Sequence, residues 1–228
     1  MQGDEVPRPV LENLIRENPA LWRGRGPQGR GHPSNAQRPG ENTVDTGYEA
    51  LNKLLPNGGW PLRAVVELNV DAWGNGELQL LLPLIRRLTT DQTRVAMVAP
   101  PYQPYAPALI QAGVSLPYLV VVDSGDDANQ NACKKNTWWC AEKLLRHADC
   151  GLVLVWPRPT NPVQVRRLQL AADASNSLGV ILHCGISVDT PVGLRLKVAR
   201  CDQGVSVSLT KSRYGWCQQG TVVLPQAL

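Results

Sequence analysis

The segment Val70, Asp71, Ala72, Trp73, Gly74, Asn75, Gly76, Glu77, Leu78 has the outline of a phosphate-binding turn without its working groups. Such a turn needs glycines whose N–H groups converge, a Lys reaching the terminal phosphates, and a Ser or Thr hydroxyl for magnesium. Gly74 and Gly76 are present, but with one gap Glu77 takes the lysine place and Leu78 the hydroxyl place. A carboxylate at a helix start takes the favourable dipole for itself, repels a phosphate and offers no donor. Asp71 adds a second negative group. The other requirement is an acidic residue at the end of a buried strand to hold the metal. The apolar run 151–155 instead ends in Trp156 and Pro157. Loss of both the cation and the metal ligand points to an architecture kept without its chemistry, so no nucleotide, cofactor or turnover is expected.

The remaining reactive residues form no recognisable set. His32, His147 and His183 are not spaced as part of a Ser/His/Asp or Cys/His arrangement, and nothing points to hydrolysis. Six scattered cysteines, with no CxxC pair, read as reduced thiols. Cys140, His147 and Cys150 lack the second ligand pair that zinc would require. Binding candidates are of another kind. Lys211, Arg213, Tyr214 and Trp216 follow the last clear alternating strand, where cations beside aromatics could grip a single strand of DNA by phosphate contact and stacking; solubility is the plain alternative. Trp22 and Arg23 are of the types that anchor interfaces, although Trp22 could also staple onto its own domain. Arg166–Arg167 and Lys134–Lys135 read as solvated helix faces. In the adjacent pair Trp138–Trp139 the side chains point about 100° apart on a helix, so one is expected in the core and the other outside.

These residues need elements to position them. The chain has 228 residues, 43% hydrophobic, enough for one domain and a tail. Its net charge of +4 excludes a highly charged disordered protein, and residues 186–228 hold five cations against two acids. No secretory signal and no run of roughly 18–20 apolar residues is visible, so a cytoplasmic protein without a membrane partner is expected. Residues 1–42 read as a short amphipathic helix over 9–22 and a Gly/Pro/Arg-rich linker over 23–42. Residues 43–185 alternate apolar strands (64–68, 94–98, 119–122, 151–156, 179–183) with helices (76–89, 104–113, 129–148, 162–178). Asn161 is the expected cap of the last helix and Gly179 its stop. This is an α/β pattern with a mostly parallel central sheet and helices on both faces, a three-layer domain. Residues 186–228 alternate every second position and read as a C-terminal antiparallel meander with a solvated face and a basic tail.

Residues 44–68, with Thr46–Gly47, Leu51 and Gly58–Gly59 before the first strand, are similar to the entry of a RecA-like ATPase core. Six segments in order resemble the ImuA family: 21–24 (Leu-Trp-Arg-Gly), 58–61 (Gly-Gly-Trp-Pro), 76–83, 98–109, 156–157 and 166–172. The likeness spans roughly residues 21–213. It implies a RecA-like fold without a working ATP site, and an accessory, non-catalytic role in SOS-induced translesion DNA synthesis. The implied partners are an ImuB-like relative of Y-family polymerases, an error-prone C-family DNA polymerase, and RecA. Residues 76–185 also resemble SulA, which implies the alternative of an SOS cell-division inhibitor. The entry motifs at 21–24 and 58–61 favour the first.

Overall fold

Branched and leucine-rich runs with few polar interruptions become the middle of a single sheet, because only a strand covered on both faces can be apolar at successive positions. The computed structural model describes residues 43–123, 130–157, 160–185, 190–213 and 220–225. The expected helix over 9–22, the linker, Trp22, Arg23, Tyr214 and Trp216 lie outside the described residues. The chain enters through a short antiparallel pair, β1 (Thr43–Val44) and β2 (Trp60–Pro61), enclosing helix α1 (Glu49–Leu54). There follow β3 (Ala64–Val70), α2 (Glu77–Thr90), β4 (Arg94–Val98), α3 (Ala106–Gln111), β5 (Leu119–Val122), α4 (Gln130–Leu145), β6 (Cys150–Val155), α5 (Pro162–Asp173) and β7 (Leu178–Cys184). The chain then runs through β8 (Leu194–Cys201), β9 (Gly204–Ser212) and β10 (Thr221–Leu224).

The eight-stranded sheet has the order β10-β9-β8-β3-β7-β6-β4-β5. Every ladder from β8 to β5 is parallel, while β9 and β10 run antiparallel to their neighbours. Alternate positions of β3 supply two cores. Val66, Leu68 and Val70 meet Leu80, Leu81, Leu84 and Ile85 of α2, with Leu51 of α1. Val65 faces the other side, where Trp138, Ala141 and Leu145 of α4 pack with Val165, Leu168 and Ala172 of α5. Helices therefore cover both faces.

Three expectations need correction. The meander is antiparallel within itself, but β8 pairs with β3 in parallel, Val66 opposite Leu194. Period-two alternation is the same for either direction of pairing, so the pattern could not tell them apart. The last helix stops at Asp173, not at residue 178. Ser175, Asn176 and Ser177 end it, and Ser175 Oγ bonds the Ala172 carbonyl, the competition with the helix ladder expected of such residues. Gly179 is accordingly no stop: it lies inside β7, where a Cβ would press within 3.2 Å of Val65 Cγ2. The expected cap does form, with Asn161 Oδ1 accepting from the Val163 N–H at 2.9 Å.

The glycines of the entry segment are explained by close packing. Gly47 has φ +84°, and a Cβ there would overlap Pro83 of α2. Pro83 lacks an N–H, which removes the usual helical donor to the Gln79 carbonyl. Tyr48 Oη takes that place, donating to Gln79 O at 3.0 Å and fastening the entry segment to α2.

Candidate functional site

The turn between β3 and α2 folds around its own carboxylate. Gly76, the N-cap, sits at φ +99°, a backbone region costly for other residues. Glu77 follows as the first helical residue and is 5% exposed. Its Oε1 accepts the Gly74 N–H at 2.8 Å. The donor that a phosphate would use is therefore bonded inside the turn. On the other side of the turn, a Cβ on Gly76 would collide with the side chain of Val205, a buried β9 residue. The glycine surface is thus covered by an aliphatic group. Asp71 faces Lys197 of β8, Oδ1 to Nζ 3.1 Å, and both side chains are about half exposed. At the end of β6, Trp156 is buried and its backbone N–H donates to the Val98 carbonyl at 3.1 Å.

Beneath the turn lies a polar cluster that the spacing of residues did not reveal. Glu67, at the centre of β3, is fully buried. Its Oε2 receives Arg195 Nε at 2.6 Å and Thr190 Oγ1 at 2.7 Å. Its Oε1 faces His183 Nε2 at 2.8 Å. Neither of those two atoms has another partner, so a proton on Nε2 satisfies both. Arg195 Nη2 also donates to Thr190 Oγ1 at 2.9 Å, closing a ring of contacts across β7, β3 and β8. Burial acts to raise the Glu67 carboxyl, but the hydrogen bonds from His183, Thr190 and Arg195 outweigh it and hold the group below its ordinary value. The cluster clamps three strands together rather than facing a cleft, since His183 and Thr190 are buried as well.

Lys211 lies opposite Arg195 in the β8–β9 ladder, and its Nζ donates to the Thr190 carbonyl at 2.6 Å. One of the expected DNA-binding cations is thereby engaged with the clamp. Arg213 is exposed at the end of β9. Of the tryptophan pair, Trp138 is in the core and Trp139 is 57% exposed. Cys150 is buried, and burial pushes its thiol up to about 11. Among the described residues no three His, Cys, Asp or Glu side chains group as metal ligands, and no helix is long and apolar enough to cross a membrane.

No protein-family model matches the chain, and no curated protein matches it.

Proposed function

We propose that this is a RecA-like, three-layer α/β protein that assembles other proteins and performs no nucleotide chemistry of its own. The observation that carries the reading is Glu77: its carboxylate occupies the Gly74 N–H, where a nucleotide-binding turn would present donors to phosphate. Val205 against Gly76 and the apolar end of β6 support it. Residues of the RecA-like entry and of the segments that resemble ImuA have structural reasons to be as they are. Gly47 fits Pro83, a Cβ on Gly59 would overlap the Val44 carbonyl, and Trp60 and Leu51 are fully buried. On that resemblance the partners are an ImuB-like polymerase relative and an error-prone C-family polymerase in SOS-induced translesion synthesis.

Calorimetry with Mg-ATP tests the chemical half, with no heat of binding expected. Micromolar binding that disappears when the Gly74–Gly76 turn is altered would overturn it. The cellular half is tested by pairing mutation frequency after ultraviolet damage in a deletion strain with cell length on overexpression. Loss of induced mutation is expected; unchanged mutagenesis with filamentation would assign the protein to cell-division control instead.

A further inference from the structure

The outer surface of the α4/α5 layer has the pattern of a docking site. On α5, Val163, Arg166, Arg167 and Leu170 stand at i, i+3, i+4 and i+7, one stripe along the helix. On α4, Trp139, Glu142, Lys143 and Arg146 repeat the same spacing. Both helices connect parallel strands on the same sheet face, so they run side by side in the same direction. Arg167 Nη2 to Glu142 Oε2, at 2.6 Å, joins the two stripes. Between them lies a groove of about 510 Å³ lined by Asn136, Trp138, Trp139, Glu142, Gln164 and Arg167.

Trp138, Ala141 and Leu145 of α4 and Val165, Leu168 and Ala172 of α5 are used in the core, yet outward positions of both helices carry large apolar groups. Val163 is 68% exposed, Trp139 57% and Leu170 50%. Solitary exposed apolar residues are ordinary; three on adjoining helices, Trp139 lining the groove and Val163 and Leu170 on the α5 stripe with Arg166 and Arg167, have the composition of an interface anchor. The charges select the occupant. Among the described residues the two stripes carry four cations, Lys143, Arg146, Arg166 and Arg167, against two carboxylates: Glu142, which both Arg146 and Arg167 already contact, and Asp173 at the end of α5. Lys143 stands over the Trp139 ring, 5.9 Å from its centroid. Among the described residues no carboxylate comes within ion-pair range of Lys143 or Arg166.

We infer that this groove receives an amphipathic helix of a protein partner, with an apolar ridge flanked by Asp or Glu. Ridges of a third helix match the groove between two helices, and apolar anchors at helical spacing are the usual contacts of that mode. A second copy of the same face is disfavoured, because a two-fold contact would set like charges against each other. Single-stranded nucleic acid fits less well: two of the three exposed anchors are aliphatic and offer no flat face to a base. The inference does not depend on the nucleotide turn, which lies at the carboxyl end of β3, and it stands or falls separately from the proposed function.

The test uses the full chain and fluorescently labelled probes in anisotropy titrations at physiological salt. The probes are a peptide of about five helical turns with a leucine ridge and Glu flanks, the same peptide with Lys flanks, and an oligothymidylate. The Glu-flanked peptide is expected to bind at least about tenfold more tightly than the other two. Leu170→Glu and Arg166→Glu should each weaken it by about tenfold, while Arg87→Glu on the opposite layer leaves it unchanged. Both substituted side chains are exposed, and unchanged thermal midpoints check that the fold is retained. Absence of peptide binding, equal binding of both peptides, preference for the oligothymidylate, or indifference to both substitutions overturns the inference.

Discussion

Removing the carboxylate of Glu67 by Glu67→Ala should destabilise the protein more than almost any other single polar change. The structure sets the size of the effect. Glu67 accepts Arg195 at 2.6 Å and Thr190 at 2.7 Å and faces His183 at 2.8 Å, with its own side chain fully buried and that of Arg195 only 13% exposed. Truncation takes the carboxylate away from a largely buried guanidinium and a buried imidazole in the middle of the sheet, and breaking one side of such a buried pair costs about 3–5 kcal/mol. That is a large share of the roughly 5–15 kcal/mol that holds a domain together. The assay is urea unfolding of the full chain followed by tryptophan fluorescence; with a slope of about 3 kcal/mol/M the midpoint should fall by about 1–1.7 M. The effect must also have the right pH dependence. Because the folded-state pKa of Glu67 lies below its ordinary value, its contribution is fully present above that ordinary value and is lost as pH falls through the folded one. The gap between wild type and variant should therefore be constant near neutrality and narrow in acid. A loss below about 1 kcal/mol, or a gap that widens as pH falls, refutes the clamp.

Two further outcomes follow from single contacts. Tyr48→Phe leaves the Gln79 carbonyl without the hydroxyl that replaces the missing Pro83 donor, so it should cost about 1–3 kcal/mol in the same unfolding assay; in a Pro83→Ala background the restored N–H should shrink that cost, and an equal cost in both backgrounds refutes the exchange. Cys150, buried and with its thiol pushed up to about 11, should resist iodoacetamide at pH 8 in the native protein while exposed Cys184 reacts, as read by peptide mass spectrometry; equal labelling of the two would show that the strand opens freely.

What could be read from the residues follows from how local the determinants are. The strands at 94–98 and 119–122 match β4 and β5 end to end: β4 is buried at four consecutive positions, whereas β5, at the edge of the sheet with Val121 exposed, is marked by its branched run alone. The turn chemistry was equally local: Glu77 and Gly74 are three residues apart, and the carboxylate does turn back on the loop. The Glu67 clamp was not legible, because Thr190 and Arg195 lie 123 and 128 residues away. A weaker signal was available, namely a lone carboxylate within Val-Val-Glu-Leu, which must find partners wherever burial puts it. The exposed stripes on α4 and α5 were also present as spacing. The basic pair Arg166–Arg167 reads as solvated until Val163 and Leu170 are found beside it on the outer face rather than in the core.

The central place of β3 has a consequence for how the protein is made. Both of its ladder neighbours come from late in the chain, β7 beginning at Leu178 and β8 at Leu194. During synthesis, strands β4, β5 and β6 have their mutual partners as soon as residue 155 has emerged, whereas β3 has neither edge paired. An apolar strand with two open edges is a template for unwanted pairing, and such long-range closure is slow. A ribosome that halts before Leu178 therefore leaves a strand that is buried at six of its seven positions in the finished fold with both edges open, and the last fifty residues decide whether the first half is folded or aggregating.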